Sequence, residues 1–266
     1  MNSTVPDYVA LLPGLRALAR EAGAAIMDVY SQPFEVLSKD DNSPVTAADI
    51  KAEAIILAGL AKLTPDIPVV SEEAAAAGKR FDVSGGRFWL VDPLDGTKEF
   101  VARNGEFTVN IGLIDNGVPV AGVLFAPVLD RLFLAAPGIA TVEDRGAAPR
   151  PIAVRPIPKD GMRVLSSRSN RDPATFDDYM KHFPVADIRR SGSSLKFALV
   201  AAGEADIYPR FGRTMEWDTA AGHAVLLAAG GCMTLPDGSP LLYGKSGFEN
   251  PPVVAWGSSQ PNPPKA

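Results

Sequence analysis

Residues 87–97 read RFWLVDPLDGT. The run Phe88-Trp89-Leu90-Val91 has the composition of a strand buried on both faces, and it ends in Asp92, Pro93, Leu94 and Asp95 rather than in a neutral turn. A core strand that delivers two carboxylates at its end points them at something charged. Pro93 stiffens the turn, so both acids can face one point, with the Leu94 carbonyl between them as a further oxygen donor. Gly96 lets the backbone approach a ligand closely, Thr97 offers a hydroxyl, and their amides at a helix start suit a phosphate. Asp-x-x-Asp-Gly alone is commonly a turn. With the following Ser/Thr, average residue usage puts it in roughly one chain in a hundred of this length.

Three other places carry acids in the same way. Asp49 lies in PVTAAD (44–49) at the start of a helical pattern, Glu72 and Glu73 end the strand-like PVVSEE (68–73), and Asp218 opens the helix of EWDTAAG (216–222). Taken singly, Asp49 and Asp218 also read as first-turn acids favoured by the helix dipole, and the glutamates as a surface pair. Together they make an all-oxygen donor set. Carboxylates brought this close repel one another without a cation, and hard oxygen donors call for Mg²⁺ or Mn²⁺. The chain has only two histidines and one cysteine, which argues against zinc, iron–sulfur clusters and a disulfide framework.

Around these sites the pattern alternates between helix and strand. Residues 7–30 and 46–63 show helical periodicity, and FEVLSKDDNSPVT (34–46) reads as a strand followed by a turn. Residues 106–135 form a meander of three strands, with Asp115-Asn116-Gly117 as its first hairpin. After the Pro-rich stretch 148–158, MRVLSS (162–167) and EADIYPR (204–210) read as strands. Residues 172–183, LKFALVAAG (195–203) and WDTAAGHAVLLAAGG (217–231) read as helices, and the tail GSSQPNPPKA (257–266) as irregular. This predicts a layered α/β or α+β architecture rather than a barrel.

The 266 residues carry 31 acidic and 26 basic side chains, a formal charge of −5. No basic run exists, which argues against nucleic acid as a partner. The most apolar stretch, residues 220–232, is too short to span a bilayer, and residues 1–23 lack a signal-peptide pattern. A soluble, cytoplasmic protein without stable membrane insertion is expected. His223 and Trp217 read as packing residues and Cys232 as a small core residue, while AAAAGKR (74–80) lacks the leading glycine of a P-loop.

The stretches PVTAADIKAE, VVSEEA, WLVDPLDGTKEF and WDTAAGHAVLLAAGG resemble the inositol monophosphatase superfamily of Mg²⁺-dependent, lithium-sensitive phosphatases. DPLDGTKEFVARNGEFTVNIGLI, GSSLKFALVAAGEADIYPRFG and LLYGKSGFENP look most like its 3′(2′),5′-bisphosphate nucleotidase branch. The resemblance covers residues 10–255. It implies a layered α/β/α/β/α sandwich of the inositol monophosphatase/fructose-1,6-bisphosphatase type. Residues 1–155 would form an α+β half with the antiparallel sheet and most metal ligands, and residues 156–266 an α/β half with Asp218 and the specificity residues. It implies two or three Mg²⁺ ions, with Mn²⁺ as a substitute, held by Glu72, Asp92, the Leu94 carbonyl, Asp95 and Asp218, with Glu73 one residue away from the expected ligand. It matches Asp49 and Thr97 to the pair that activates the attacking water, and Gly96 and Thr97 to the phosphate-binding turn. Ser193, Lys196 and Arg210 look similar to the contacts of a nucleotide's second phosphate, and Asp218 also borders the substrate.

The activity so implied is hydrolysis of 3′-phosphoadenosine 5′-phosphate (PAP) to AMP and phosphate, and of its sulfated relative PAPS, by water, with a small phosphate ester as partner. Such phosphatases often form homodimers. Two other readings remain: an inositol monophosphatase or fructose-1,6-bisphosphatase-like sugar phosphatase, and a non-catalytic Ca²⁺- or nucleotide-binding protein. Asp49 and Thr97 argue against the last, because binding alone needs no water-activating pair.

Overall fold

The computed structural model describes residues 7–32, 36–38, 44–168 and 172–258. The tail from residue 259, and residues 34–35 and 39–43 of the expected strand and turn, lie outside them.

A 3₁₀ turn (Tyr8–Leu11) precedes α1 (Leu12–Tyr30), so the expected helix over 7–30 begins with a tighter turn ahead of Pro13. α1 buries Leu15, Ala19, Ala22, Ile26 and Val29, a stripe at three- and four-residue spacing. β1 (Val36–Ser38) and β2 (Pro44–Thr46) pair antiparallel ahead of α2 (Ala47–Leu63), which buries Ala48, Ala52, Ile56 and Leu60. β3 (Val69–Ser71) stops two residues earlier than expected. Glu72 and Glu73 do not end the strand; they open the short helix α3 (Glu72–Ala76), where acids suit a helix N-terminus. β4 (Arg87–Asp95) runs through both aspartates of the opening motif and leads into α4 (Thr97–Val101).

β5 (Thr108–Asp115) and β6 (Val118–Ala126) are joined by Asn116-Gly117, both at positive φ (50° and 79°), the two-residue turn whose twist matches the flanking strands. β7 (Arg131–Ala136) completes the expected three-stranded meander, and β8 (Ile139–Asp144) and β9 (Arg150–Pro151) extend it. The result is a seven-stranded sheet in the order β3-β4-β5-β6-β7-β8-β9, parallel only between β3 and β4.

The rest of the chain builds a second sheet. Its elements are β10 (Met162–Ser167), α5 (Pro173–Met180), β11 (Val185–Ser191), α6 (Leu195–Ala201), β12 (Ile207–Arg210), β13 (Thr214–Met215), α7 (Glu216–Ala228), β14 (Cys232–Thr234), β15 (Glu249–Asn250) and β16 (Val253–Trp256). Five strands pair in the order β11-β10-β12-β16-β14, while β13 and β15 form a separate pair.

Side-chain alternation converts these sheets into layers. In β4, Trp89 and Val91 pack with α1 and α2, while Phe88 and Leu90 pack with α6 and α7. In the second sheet, Leu165, Tyr208, Val253 and Ala255 face α6 and α7, while Val164, Ile207, Val254 and Trp256 face α5. The sequence of layers is helices, seven-stranded sheet, helices, five-stranded sheet, helix: the α/β/α/β/α sandwich that the resemblance implied. The long apolar stretch 220–232 lies largely in buried α7, and no described helix is long and apolar enough to cross a membrane.

α7 lies unusually close to the first sheet. Gly112 and Gly122 pair across β5 and β6. A Cβ on Gly112 would stand 2.8 Å from both the Ala220 Cβ and the Ala221 backbone nitrogen, and one on Gly122 would stand 3.2 Å from the Ala221 Cα. On the opposite side of the helix, a Cβ on Gly222 would stand 2.7 Å from the Phe197 Cβ. Gly112→Ala must push the helix backbone off the sheet. It is expected to lower unfolding stability by about 1–3 kcal/mol in a urea titration. An unchanged midpoint would show that the seat is looser than it looks.

Candidate active site

The ends of β4, α3, α4, α6 and α7 surround one cavity of about 240 Å³. Glu72, Asp92, Leu94, Asp95, Gly96, Thr97, Ser193, Lys196, Arg210 and Asp218 all line it. Ten of the eleven residues singled out from the sequence therefore line one cavity. Asp49 is not among the lining residues. It is buried in the first turn of α2, close enough for its charge to act on Asp92.

β4 brings the opening motif to this point by breaking its own ladder. The pairing with β5 shifts register between Asp92 and Asp95, and the Leu94 N–H donates to Asp92 Oδ1 at 3.0 Å. Regular alternation would put residues three apart on opposite faces of the strand; the irregularity lets both aspartates line the cavity. Gly96 follows at φ 95°, a conformation that L side chains rarely adopt. A Cβ there would stand 3.1 Å from that of Ser193 and 3.3 Å from the Glu106 carbonyl. Thr97 caps the turn, its hydroxyl 3.5 Å from the Leu94 carbonyl oxygen. Asp218 is the third residue of α7, where it accepts the Met215 N–H at 2.9 Å.

The cavity is an electrostatic trap for a cation. Burial, and then the charges of Glu72, Asp95, Asp218 and Asp49, hold the Asp92 carboxyl well above the usual carboxylate range. Asp218 is raised by burial and by Asp95 and Glu72, partly offset by the Met215 N–H and the charge of Arg210. Glu72, not Glu73, lines the cavity and is felt by both aspartates. Among the described residues, no three His, Cys, Asp or Glu side chains form a ready-made cage. Mg²⁺ keeps several waters and takes only one or two carboxylates per ion plus substrate oxygens. The donors are all oxygen, the Leu94 carbonyl included, and so the residues present fit Mg²⁺.

The two cations sit deeper than a sequence can tell. The Lys196 ammonium donates to the carbonyls of Ser191 (3.1 Å) and Ser193. Arg210 donates to Ser167 Oγ and the Arg213 carbonyl, both at 2.8 Å. Ser193 has φ 51°, a strained conformation for a non-glycine residue. Its hydroxyl lies 2.7 Å from that of Thr108, which also meets Ser194 Oγ at 2.8 Å. Ser194 in turn donates its hydroxyl to Asn110 Oδ1 (2.9 Å) and its N–H to Asp95. Gly192 donates its N–H to Glu106 at 2.8 Å, and Arg168 pairs with the same carboxylate.

This hydroxyl web escaped the sequence reading. Its signal was present: Thr108 and Asn110 are polar residues at alternate positions of an otherwise apolar strand. His223 is packed as expected, Nδ1 3.1 Å from the Tyr243 hydroxyl, and burial holds its pKa down to about 3. Trp217 is buried against Phe248, with ring centroids 6.2 Å apart, and also borders the cavity. Cys232 is half-buried rather than fully internal, and burial pushes its thiol up to about 11.

The family model described as the inositol monophosphatase family matches residues 7–260. The chain belongs to the inositol monophosphatase family. Within it, the 3′(2′),5′-bisphosphate nucleotidase CysQ of Escherichia coli (strain K12) is 52% identical over 237 residues, covering 88% of this chain and 94% of that protein. The structure of CysQ from Bacteroides thetaiotaomicron superposes with a TM-score of 0.76 at 38% identity, covering 93% of this chain and 97% of the other. The inositol monophosphatase of Anabaena sp. PCC 7120 gives 0.77 at 30% identity, covering 96% and 93%. Inositol monophosphatase-family phosphatases depend on a metal ion, generally Mg²⁺.

If the acids are crowded for a cation's sake, removing one should help the empty protein. Metal-free Asp92→Asn is expected to melt a few degrees above the metal-free parent, because a buried repulsion is gone. It should also lose most of the thermal stabilisation that Mg²⁺ gives the parent. A variant that melts lower and keeps the full Mg²⁺ response would contradict the electrostatic assignment.

Proposed function

We propose that this chain is a Mg²⁺-dependent phosphomonoesterase that hydrolyses 3′-phosphoadenosine 5′-phosphate to AMP and inorganic phosphate, and accepts PAPS. The observation that carries the reading is one cavity lined both by the cluster of acids and by two buried cations. A substrate with two phosphates can meet both sets of groups. Identity with the CysQ nucleotidases over most of the chain supports the same substrate class.

Glu72, Asp92, the Leu94 carbonyl, Asp95 and Asp218 would hold the Mg²⁺, two or three ions in all, with Mn²⁺ as a substitute. The metal supplies charge neutralisation on the phosphoryl oxygens and acidity to a water. Everything else falls to side chains. The Thr97 hydroxyl orients the attacking water, and the buried Asp49 carboxylate, outside the cavity lining, takes up its proton by way of Thr97. The amides of Gly96 and Thr97 hold the reacting phosphate. Lys196, Arg210 and Ser193 hold the phosphate that is not cleaved, Arg as a planar fork and Lys as a point charge. The water oxygen bonds to phosphorus, the bond from phosphorus to the 3′-oxygen breaks, and that oxygen leaves with a proton as the ribose hydroxyl. No side-chain nucleophile is required. The enzyme works as a cytoplasmic protein, as a homodimer or alone.

Phosphate release from PAP, PAPS, inositol 1-phosphate and fructose 1,6-bisphosphate, with Mg²⁺ and with a chelator, tests the reading. PAP is expected to lead the panel and the chelator to abolish turnover. Leadership by inositol 1-phosphate or fructose 1,6-bisphosphate would move the enzyme to the sugar phosphatases, and silence on all four would favour a binding protein. Asp49→Asn and Asp95→Asn should each lower kcat by several orders of magnitude at saturating Mg²⁺; near-parental activity in either variant removes that residue from the mechanism. For the cations, Lys196→Ala and Arg210→Ala should lower kcat/KM on PAP about a hundredfold and leave a monophosphate little changed. Equal losses on both substrates would exclude a role in reading the second phosphate.

A further inference from the structure

Lys196 and Arg210 belong to different elements, α6 and β12, yet a single anion must satisfy both. One side chain touches the surroundings of each. Tyr208 is buried in the cavity wall on β12. The Lys196 ammonium lies 5.0 Å from its ring centroid. The Tyr208 hydroxyl lies 3.0 Å from Ser167 Oγ, and that oxygen accepts the Arg210 Nη1 donor at 2.8 Å. The Phe197 ring, 5.0 Å away and inclined by 58°, restrains the tyrosine plane.

We propose that Tyr208 is a positioning residue that sets the spacing of the two cations which read the second phosphate. The inference rests on the bisphosphate reading above. The ring quadrupole attracts the ammonium toward its face. The hydroxyl, through Ser167, fixes the rotation of the guanidinium. Lys196 is held further by the Ser191 and Ser193 carbonyls and Arg210 by the Arg213 carbonyl, so each cation has anchoring of its own beside the route through Tyr208. Binding an anion between two cations needs their separation held to about half an ångström. Two groups anchored only on separate elements would each drift with their own. Tyr208 has no contact with Glu72, Asp92, Asp95 or Asp218 among its hydrogen bonds and ring contacts, so its effect should reach the second phosphate and spare the reacting one.

Three variants separate this role from simple packing. Tyr208→Phe keeps the ring and removes the hydroxyl, Ser167→Ala breaks the same relay from its other end, and Tyr208→Leu removes ring and hydroxyl together. Two readouts are used: kcat/KM on PAP against a sugar monophosphate, and equilibrium binding of AMP and adenosine without Mg²⁺. Tyr208→Phe and Ser167→Ala are each expected to lower kcat/KM on PAP about tenfold, through KM, with the monophosphate unchanged. The double variant should be no worse than either single one, because both cut one relay. AMP should bind about tenfold more weakly and adenosine as before. Tyr208→Leu should cost more on PAP than Tyr208→Phe. Parallel losses on both substrates, or AMP binding unchanged in Tyr208→Phe, overturn the proposal. A parent enzyme without preference for PAP overturns the bisphosphate reading instead, a result obtained before any Tyr208 variant is made.

Discussion

α7 touches the seven-stranded sheet with almost nothing between the two backbones. The contact exists because Gly112 and Gly122 face each other in β5 and β6 and the helix presents Ala220 and Ala221 to them. Gly222 then lets Phe197 of α6 press in from the opposite side. Asp218 lies two residues before Ala220, at the start of the same helix. Asp92 lies on β4, the strand beside β5. A helix held farther off by ordinary side chains would carry Asp218 away from Asp92 and Asp95, and the cavity would lose its negative end. The acids come from distant parts of the chain, and the closeness that makes them repel one another is a packing property of neutral small residues.

That repulsion is a cost the fold bears in order to hold a cation. Burial and like charge both raise Asp92 and Asp218, and they act in the same direction. The seven-stranded sheet and the helices on its two faces supply the rigidity that keeps the carboxylates from relaxing apart. The hydroxyl web of Thr108, Ser193 and Ser194 does related work on the far side, tying the strained turn before α6 to β5 and giving Asp95 a backbone N–H donor. The overall charge of −5 is therefore a poor guide to the local field. The same cavity is acidic beside Asp92 and is also lined by Lys196 and Arg210.

How much of this could be read from residue order varies with the kind of signal. The Asp115-Asn116-Gly117 hairpin was legible because positive φ at two successive positions demands those residues. The acids were legible because they end apolar runs where ordinary turns are neutral. The layered sandwich followed from the resemblance, not from periodicity. β11 was not legible: six of its seven residues are exposed, and without a buried face it has no alternation to detect. The strand end at Ser71 was missed by two residues, because an acid suits a strand terminus and a helix start equally well. The partners of Lys196 and Arg210 were out of reach as well. Most are backbone carbonyls and a serine brought close by tertiary packing, and composition carries no trace of them.

β16 has a bearing on how the protein is made. It is the last of the described strands, yet it sits inside its sheet, between β12 and β14, with Trp256 fully buried. An emerging chain can complete the first sheet early, but β12, which carries Tyr208 and Arg210, lacks its antiparallel neighbour until residue 256 has left the ribosome. Closing that gap joins positions far apart in the chain, a slow class of contact. Until then the nascent protein displays its carboxylates without the partner half that would let them grip substrate. Synthesis order thus delays competence until Val253–Trp256 has been made, and a chain that stops before it should be inert rather than partly active.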